Sequence, residues 1–146
     1  MQTRMVILLG VLFFIGCAGT RSNTENPELQ PWAGMWQGLA IQESHHDQPQ
    51  QWTLILSQKN GKLHGKLSDD IGEMRRKKLE EIKLIDGELH FKVQYETRRG
   101  LHMTCQHRIK MQDDTLLSVF SGMEGGRALS GVWEARRMIV KAIIQQ

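Results

Sequence analysis

Hydrophobic and polar residues alternate with a period of two through most of the chain after residue 32, and turn signals recur about every ten residues. This alternation is typical of antiparallel strands that bury one face and expose the other. The strongest turn signals are Asn60-Gly61 and Asp86-Gly87, because glycine accepts a positive φ without steric cost. The pattern predicts eight strands, over residues 35–42, 51–58, 62–68, 77–85, 88–95, 101–111, 115–121 and 128–138.

The turns also predict how neighbouring strands pair. Two-residue turns place Leu54 opposite Leu67 in one hairpin and Leu84 opposite Leu89 in the other. Apolar side chains then meet on one face while polar side chains share the other. A slip of one residue would reverse every side chain, so this agreement supports the predicted registers.

Two further connections extend the predicted inward face. A five-residue loop over residues 96–100 pairs Phe91 with Cys105, and a two-residue turn after the sixth strand places His107 opposite Phe120. The inward face is predicted to hold Leu89, Phe91, Val93, Tyr95, Leu101, Met103, Cys105 and His107.

Eight consecutive antiparallel strands with short connections most easily close into a barrel, which removes exposed sheet edges. We therefore predict an all-β fold, an eight-stranded antiparallel up-and-down barrel whose interior admits only side chains or one small ligand. The secondary structure of two segments has a second possible interpretation. Residues 73–85 have a helix-compatible composition, and residues 138–146 fit either an extension of the last strand or a short helix packed outside.

The first 31 residues differ in composition from the rest of the chain. After the positive charge of Arg4, residues 5–16 form an uncharged apolar run, shorter than the about 20 residues that a membrane-spanning helix needs. Its length is that of the apolar region of a secretory signal peptide. Residues 18–31 are polar, carry two of the three prolines and show no apolar period, which is typical of a flexible tether.

The motif Phe14-Ile15-Gly16-Cys17 resembles the bacterial lipobox. The resemblance implies cleavage after Gly16 and a mature chain that begins at Cys17, whose thiol is linked to diacylglycerol. The chain would then consist of a lipoprotein signal peptide over residues 1–16, a lipidated cysteine and flexible tether over 17–31, and a barrel domain over 32–146. The alternative is a plain signal peptide whose cysteine only lies near the cleavage site.

A lipoprotein of this kind is held at a membrane by its acyl chains, palmitate among them, since each buried methylene contributes about 0.8 kcal/mol. The expected location is the cell envelope. Ala18 rather than an aspartate follows Cys17, which is similar to lipoproteins released to the outer membrane. In a Gram-negative cell the domain would face the periplasm. The sequence leaves the oligomeric state open.

Residues at the start and end of the predicted barrel resemble a known family. Gly34-Met35-Trp36 is similar to the G-x-W motif that opens lipocalin-like barrels, and Gly131-Val132-Trp133 resembles their closing strand. The resemblance implies that one of the two arginines that follow, Arg136 or Arg137, lies over the Trp36 ring in a cation–π contact.

Charge and polar clusters exclude several function classes. There are 19 Lys and Arg residues and 16 Asp and Glu residues, a net charge of +3; the positive residues are scattered, so we predict no nucleic-acid binding. His45-His46-Asp47 is the densest group of metal-ligand types, but adjacent histidines in one loop rarely converge on an ion, so we predict no metal and no cofactor. We recognise no set of acid, base and nucleophile, so we predict that the protein is not an enzyme.

The predicted function is binding. A lipid-anchored envelope lipoprotein would carry a small lipocalin-like barrel that takes a small apolar or amphipathic ligand, or a peptide. The candidate ligand-binding residues are the inward-facing Phe91, Tyr95, Met103, Cys105 and His107. The alternative is an envelope interaction module with a filled barrel, which docks another protein or the cell wall and binds no ligand. An interior filled by aromatic residues such as Trp52 and Trp133 would favour the alternative.

Overall fold

The computed structural model describes residues 25–45 and 48–139. In this part of the chain, one antiparallel sheet of nine strands curls into a nearly closed barrel, accompanied by two short 3-10 turns. The strands are β1 Gly34–Gln42, β2 Gln50–Lys59, β3 Lys62–Asp69, β4 Lys77–Lys78, β5 Glu80–Ile85, β6 Glu88–Glu96, β7 His102–Gln112, β8 Thr115–Glu124 and β9 Arg127–Arg137. The predicted all-β antiparallel barrel is confirmed, but the predicted count of eight strands is wrong by one.

Some of the predicted features lie on residues outside the described ranges. These are the signal peptide with its cleavage site at Gly16, the lipidated Cys17, most of the tether, two residues of the histidine cluster, and the chain after residue 139. Within residues 25–45 and 48–139, no helix has the length and apolar character needed to cross a membrane.

The first and last long strands of the barrel are neighbours. The strands follow each other around the sheet in the order β4-β3-β2-β1-β9-β8-β7-β6-β5. Between β1 and β9, Trp36 lies opposite Arg137 and Ala40 lies opposite Trp133. The barrel therefore closes through the pairing of β1 with β9.

The ninth strand arises because residues 77–85 are extended, as predicted, but do not form a single strand. β4 pairs with β3, whereas β5 pairs with β6 at the other edge of the sheet. Between them, the Leu79 backbone N–H donates to the Gly65 carbonyl at 3.0 Å, and Glu81 has a left-handed φ of 52°. The chain therefore leaves one sheet edge and joins the other within three residues. The helical interpretation of residues 73–85 is wrong.

Three hairpins, β2–β3, β5–β6 and β7–β8, have the predicted registers at their two-residue turns, although the β5–β6 register shifts between Glu80 and Lys83. In each turn the first residue takes a positive φ, at Asn60, Asp86 and Asp113. The predicted partners that face each other are Leu54 and Leu67, Leu84 and Leu89, and His107 and Phe120. Turn chemistry and alternation together were enough to align these pairs of strands.

The hairpin of β6 and β7 has a different register from the predicted one. Phe91 lies opposite His107 rather than Cys105, a shift of two residues. The loop is closed by the Thr97 N–H, which donates to the Leu101 carbonyl at 2.9 Å. Since a shift of two keeps every strand residue on its face, the inward face survives. The exception is Leu101, which was predicted inside and is 37% exposed in the loop.

The two ends of the barrel carry different connections. The turn end holds the two-residue turns at residues 60–61, 86–87 and 113–114, together with the start of β1 and the end of β9. The loop end holds the other connections, including residues 70–76 and the loop between β6 and β7.

The chain segment before β1 packs across the turn end. The Gln58 side-chain amide donates to the Asn26 carbonyl at 3.1 Å, Leu29 packs against the core, and Trp32 is buried. Residues 25–31 of the predicted tether thus contact the barrel wall, and the chain enters the domain at the turn end.

Candidate functional site

The predicted ligand-binding residues all lie inside the barrel on β6 and β7. Their exposed fractions lie between 2% and 9%, for Phe91, Tyr95, Met103, Cys105 and His107. The two strands place Tyr95 opposite Met103 and Phe91 opposite His107. The structure therefore brings these residues together, as part of one packed core.

Aromatic rings occupy the centre of this interior. The His107 imidazole stacks on Phe91 with ring centroids 4.6 Å apart, and its centroid lies 5.5 Å from that of Phe120. The Trp52 ring centroid lies 4.9 Å from Phe120 and 6.2 Å from Trp133. Rings at these separations are in contact, so side chains fill the space where an interior ligand was predicted.

Burial also keeps the polar groups of the interior uncharged near neutral pH. Desolvation raises the pKa of the Cys105 thiol to about 11 and lowers the pKa of His107 to about 3. Desolvation likewise raises the pKa of the Tyr95 phenol, with the nearby Cys105 adding to the effect. The His107 Nδ1 lies 3.4 Å from the Ser118 hydroxyl.

The motif residues of the first and last strands meet at the turn end. The Arg137 guanidinium carbon lies 4.1 Å from the ring centroid of the fully buried Trp36. The same guanidinium donates to the Ala33 carbonyl at 2.6 Å. Arg137 thus occupies the position over the ring, whereas Arg136 is exposed on the outer wall.

The remaining motif residues make close packing contacts. Trp133 is buried next to Trp52. Gly131 leaves room for the Phe120 ring, which a Cβ at this position would overlap. Gly34 has a φ of 139° and lies beside the Arg137 side chain. These residues pack the barrel, and Trp133 also contributes to the lining of a concavity on the outer wall.

The barrel is open along one side, between β3 and β5, which are not neighbours in the sheet. We call this opening the side slot. Its edges come together at Leu79, and it has a volume of about 810 Å³. The apolar side chains of the side slot are Leu29, Ile55, Leu63, Leu79, Ile82 and Leu84.

The rim of the side slot is strongly basic. It carries His64 and five exposed cationic side chains, Lys62, Lys66, Arg76, Lys78 and Lys83. In the described part of the chain none of the five forms a salt bridge. The acidic residue of the rim, Glu81, lies 3.7 Å from the Lys92 ammonium. The side slot therefore presents an aliphatic floor and a cationic border.

Sequence reasoning missed this site. The turn at residues 60–61 does predict that Lys62 and Lys66 share the outward face of β3. Lys83, however, comes from β5, which joins the same opening only because the barrel curls until its two edges approach. The signal that was available in the sequence is the run of four basic residues at 75–78.

A second concavity lies on the outer wall, across β1, β9 and β8, and has a volume of about 820 Å³. Its aliphatic residues are Leu39, Ile41, Leu117, Val119 and Val132. Polar and charged residues of the same strands and of β7 border it, including Glu134 and Arg136. It lies on the opposite wall from the side slot, because β9 is in the middle of the strand order.

We compared the chain with known proteins in three ways. A scan against protein-family models and searches of the curated proteins and of the solved structures found no match. Among residues 25–45 and 48–139, no three His, Cys, Asp or Glu side chains are grouped as metal ligands. Function is therefore inferred from the geometry and charge of the two concavities.

Proposed function

We propose that this protein is a lipid-anchored envelope lipoprotein whose small lipocalin-like barrel binds an anionic amphiphile with a single alkyl chain. The binding site is the side slot between β3 and β5. The observation that carries the proposal is the combination of an aliphatic floor with a rim of five exposed Lys and Arg side chains. In this proposal the protein is a binding protein, uses no cofactor and catalyses no reaction.

The floor and the rim supply two separate contributions to binding. A chain laid against Leu63, Ile82 and Leu84 would gain about 0.8 kcal/mol for each methylene it buries. An anionic headgroup at the rim would meet Lys66 and Lys83 without displacing an existing salt bridge in the described structure. The volume of about 810 Å³ lies within the range of about 300 to 1,000 Å³ typical of small-molecule sites.

The position of the side slot fits an amphiphile that comes from a membrane. Leu29, which precedes β1, contributes to the slot, so the site lies beside the point where the chain enters the barrel. If Cys17 carries the anchor, only about 11 residues separate the lipid from Leu29. Extended, they span at most about 40 Å, which keeps the slot close to the membrane surface.

Binding can be measured by isothermal titration of the chain lacking residues 1–17 with three probes. We expect saturable binding of dodecanoate, at least about tenfold weaker binding of dodecanol, and none of butyrate, because only the first has both a long chain and a charge. The double variant Lys66→Glu with Lys83→Glu should weaken dodecanoate binding by about tenfold or more. The control is Arg127→Glu, which makes the same kind of charge reversal at one exposed position of the loop end, outside the side slot.

Equal affinity of the double variant and the wild type would contradict the proposed site. If none of the three probes binds, the filled interior favours the second candidate function, an envelope interaction module that docks another protein or the cell wall. The circular dichroism spectrum of each variant would establish that it remains folded.

The anchor is tested separately in cells supplied with labelled palmitate. We expect the wild-type chain to incorporate the label and the Cys17→Ser variant to incorporate none. The variant should also appear in the soluble fraction or persist as an uncleaved precursor. Cys105→Ser is the matched control, because it removes the other cysteine and should keep the label. A wild-type chain that stays unlabelled would overturn the lipoprotein assignment.

A further inference from the structure

The outer wall of the barrel carries an exposed aliphatic surface. We call it the outer patch, made of Leu39, Ile41, Leu117, Val119 and Val132 on β1, β8 and β9. Leu39 and Val132 are 55% and 53% exposed, and Leu117 and Val119 are 40% and 44% exposed. Contiguous apolar surface of this kind on a small domain marks an interaction site.

One acidic side chain lies within this patch. Glu134 of β9 is opposite Leu39 on one side and opposite Leu117 on the other, so aliphatic residues flank it. Arg136 is two residues further along the same face of β9. In the described part of the chain, neither Glu134 nor Arg136 belongs to a salt bridge.

The other basic residues at the border are already engaged. Lys110 lies 3.2 Å and Arg108 lies 3.6 Å from carboxylate oxygens of Glu88 on β6. These cations are therefore partly neutralised within the barrel wall. Both cations share the single carboxylate of Glu88, so some positive charge remains at the border. In the described part of the chain, the charged residues of the border that form no salt bridge are one acid, Glu134, and one base, Arg136.

We propose that a second copy of this chain covers the outer patch in a two-fold symmetric dimer. In an isologous contact each copy offers the same surface, so Glu134 of one copy meets Arg136 of the other and the pair forms twice. Leu39 and Leu117, which flank Glu134, are then buried beside these pairs in both copies. A partner with an anionic surface fits less well, because Glu134 would be buried against like charge.

The dimer leaves the side slot free. The outer patch is centred on β9, in the middle of the strand order, whereas the side slot lies between the two ends of that order. The proposal therefore does not depend on ligand binding at the slot, and either of the two can fail without the other.

The test is sedimentation equilibrium of the full chain in a density-matched detergent. We expect a reversible dimer for the wild type, and dimerisation weakened by at least about tenfold in Glu134→Arg and in Arg136→Glu, because each places like charges together. The double variant with both changes should recover dimerisation, since it restores the pairs with reversed signs. Arg127→Glu, outside the patch, should dimerise like the wild type.

Two results would overturn the proposal. One is a wild-type chain that stays monomeric up to about 100 μM, where an interface of even modest affinity is populated. The other is a double variant that dimerises no better than the single variants while its circular dichroism spectrum matches that of the wild type. In that case Glu134 and Arg136 do not pair across the interface.

Discussion

Replacing Trp36 with alanine is expected to lower the free energy of unfolding by about 3 to 5 kcal/mol, enough to unfold a domain of ordinary stability. The Trp36 ring is fully buried where β1 meets β9, and its indole N–H donates to the Trp32 carbonyl at 3.0 Å. The Arg137 guanidinium lies over the ring. The substitution therefore opens a cavity and releases both the segment before β1 and the end of β9.

Guanidinium-induced unfolding followed by circular dichroism measures this loss. Arg137→Gln should have a smaller effect of the same sign, because it removes the donor to the Ala33 carbonyl and the contact with Trp36 but leaves no large cavity. Arg127→Gln, at the exposed start of the same strand, should change stability by no more than about 0.5 kcal/mol. Similar losses of unfolding free energy for all three variants would show that Trp36 does not hold β1 and β9 together.

The stability of the domain is expected to fall as the pH drops from about 6.5 to about 3, with His107 as a major cause. The folded-state pKa of His107 is about 3, because its ring is completely desolvated, whereas the unfolded chain titrates near 6.5. Between these values the unfolded state binds one more proton. Stability therefore rises with pH across this window, by up to about 1.4 kcal/mol per pH unit from this one group.

His107→Phe should flatten this part of the pH profile. A phenyl ring fits the stack formed by Phe91 and Phe120, and it cannot take up a proton. The difference between wild type and variant, measured by urea unfolding at pH 3.5, 5 and 7, isolates the histidine from the carboxylates that titrate in the same range. His64→Gln removes an exposed histidine as the control. Parallel wild-type and His107→Phe profiles would contradict a neutral, desolvated His107.

The two proposed sites have a simple spatial relation. The outer patch and the side slot lie on opposite walls of the barrel, because β9 is central in the strand order and β3 and β5 are near its ends. A dimer formed through the outer patches would therefore direct its two side slots away from the interface. Each slot would remain accessible to a ligand.

The inward face could be predicted from the sequence, but the alignment of all its strands could not. Phe91 and His107 were both expected inside, yet the predicted partner of Phe91 was Cys105. A slip of two residues leaves every side chain on the same face, so the alternation pattern cannot detect it. The two-residue turns do not have this ambiguity, because their length and positive φ admit only one register.

The division of residues 77–85 could not be predicted for a different reason. Alternation and the turn at Asp86-Gly87 identify an extended segment, but they do not say which edge of the sheet it joins. The exchange of partners at Leu79 depends on Gly65, where a Cβ would come within 2.6 Å of the Leu79 side chain. This contact joins residues that are distant in sequence, and it gives the side slot its closed end.

The amino-acid sequence by itself determined the all-β class, the three hairpins whose two-residue turns lie at the turn end, and the division between inward and outward side chains, because each depends on local backbone preferences and on a period of two. Tertiary structure alone decided three things. It set the register of β6 and β7, filled the barrel with the rings of Trp52, His107 and Phe120, and gathered basic side chains from separate strands around the side slot. All three depend on how far the sheet curls and how the enclosed side chains share its volume, which no local segment specifies.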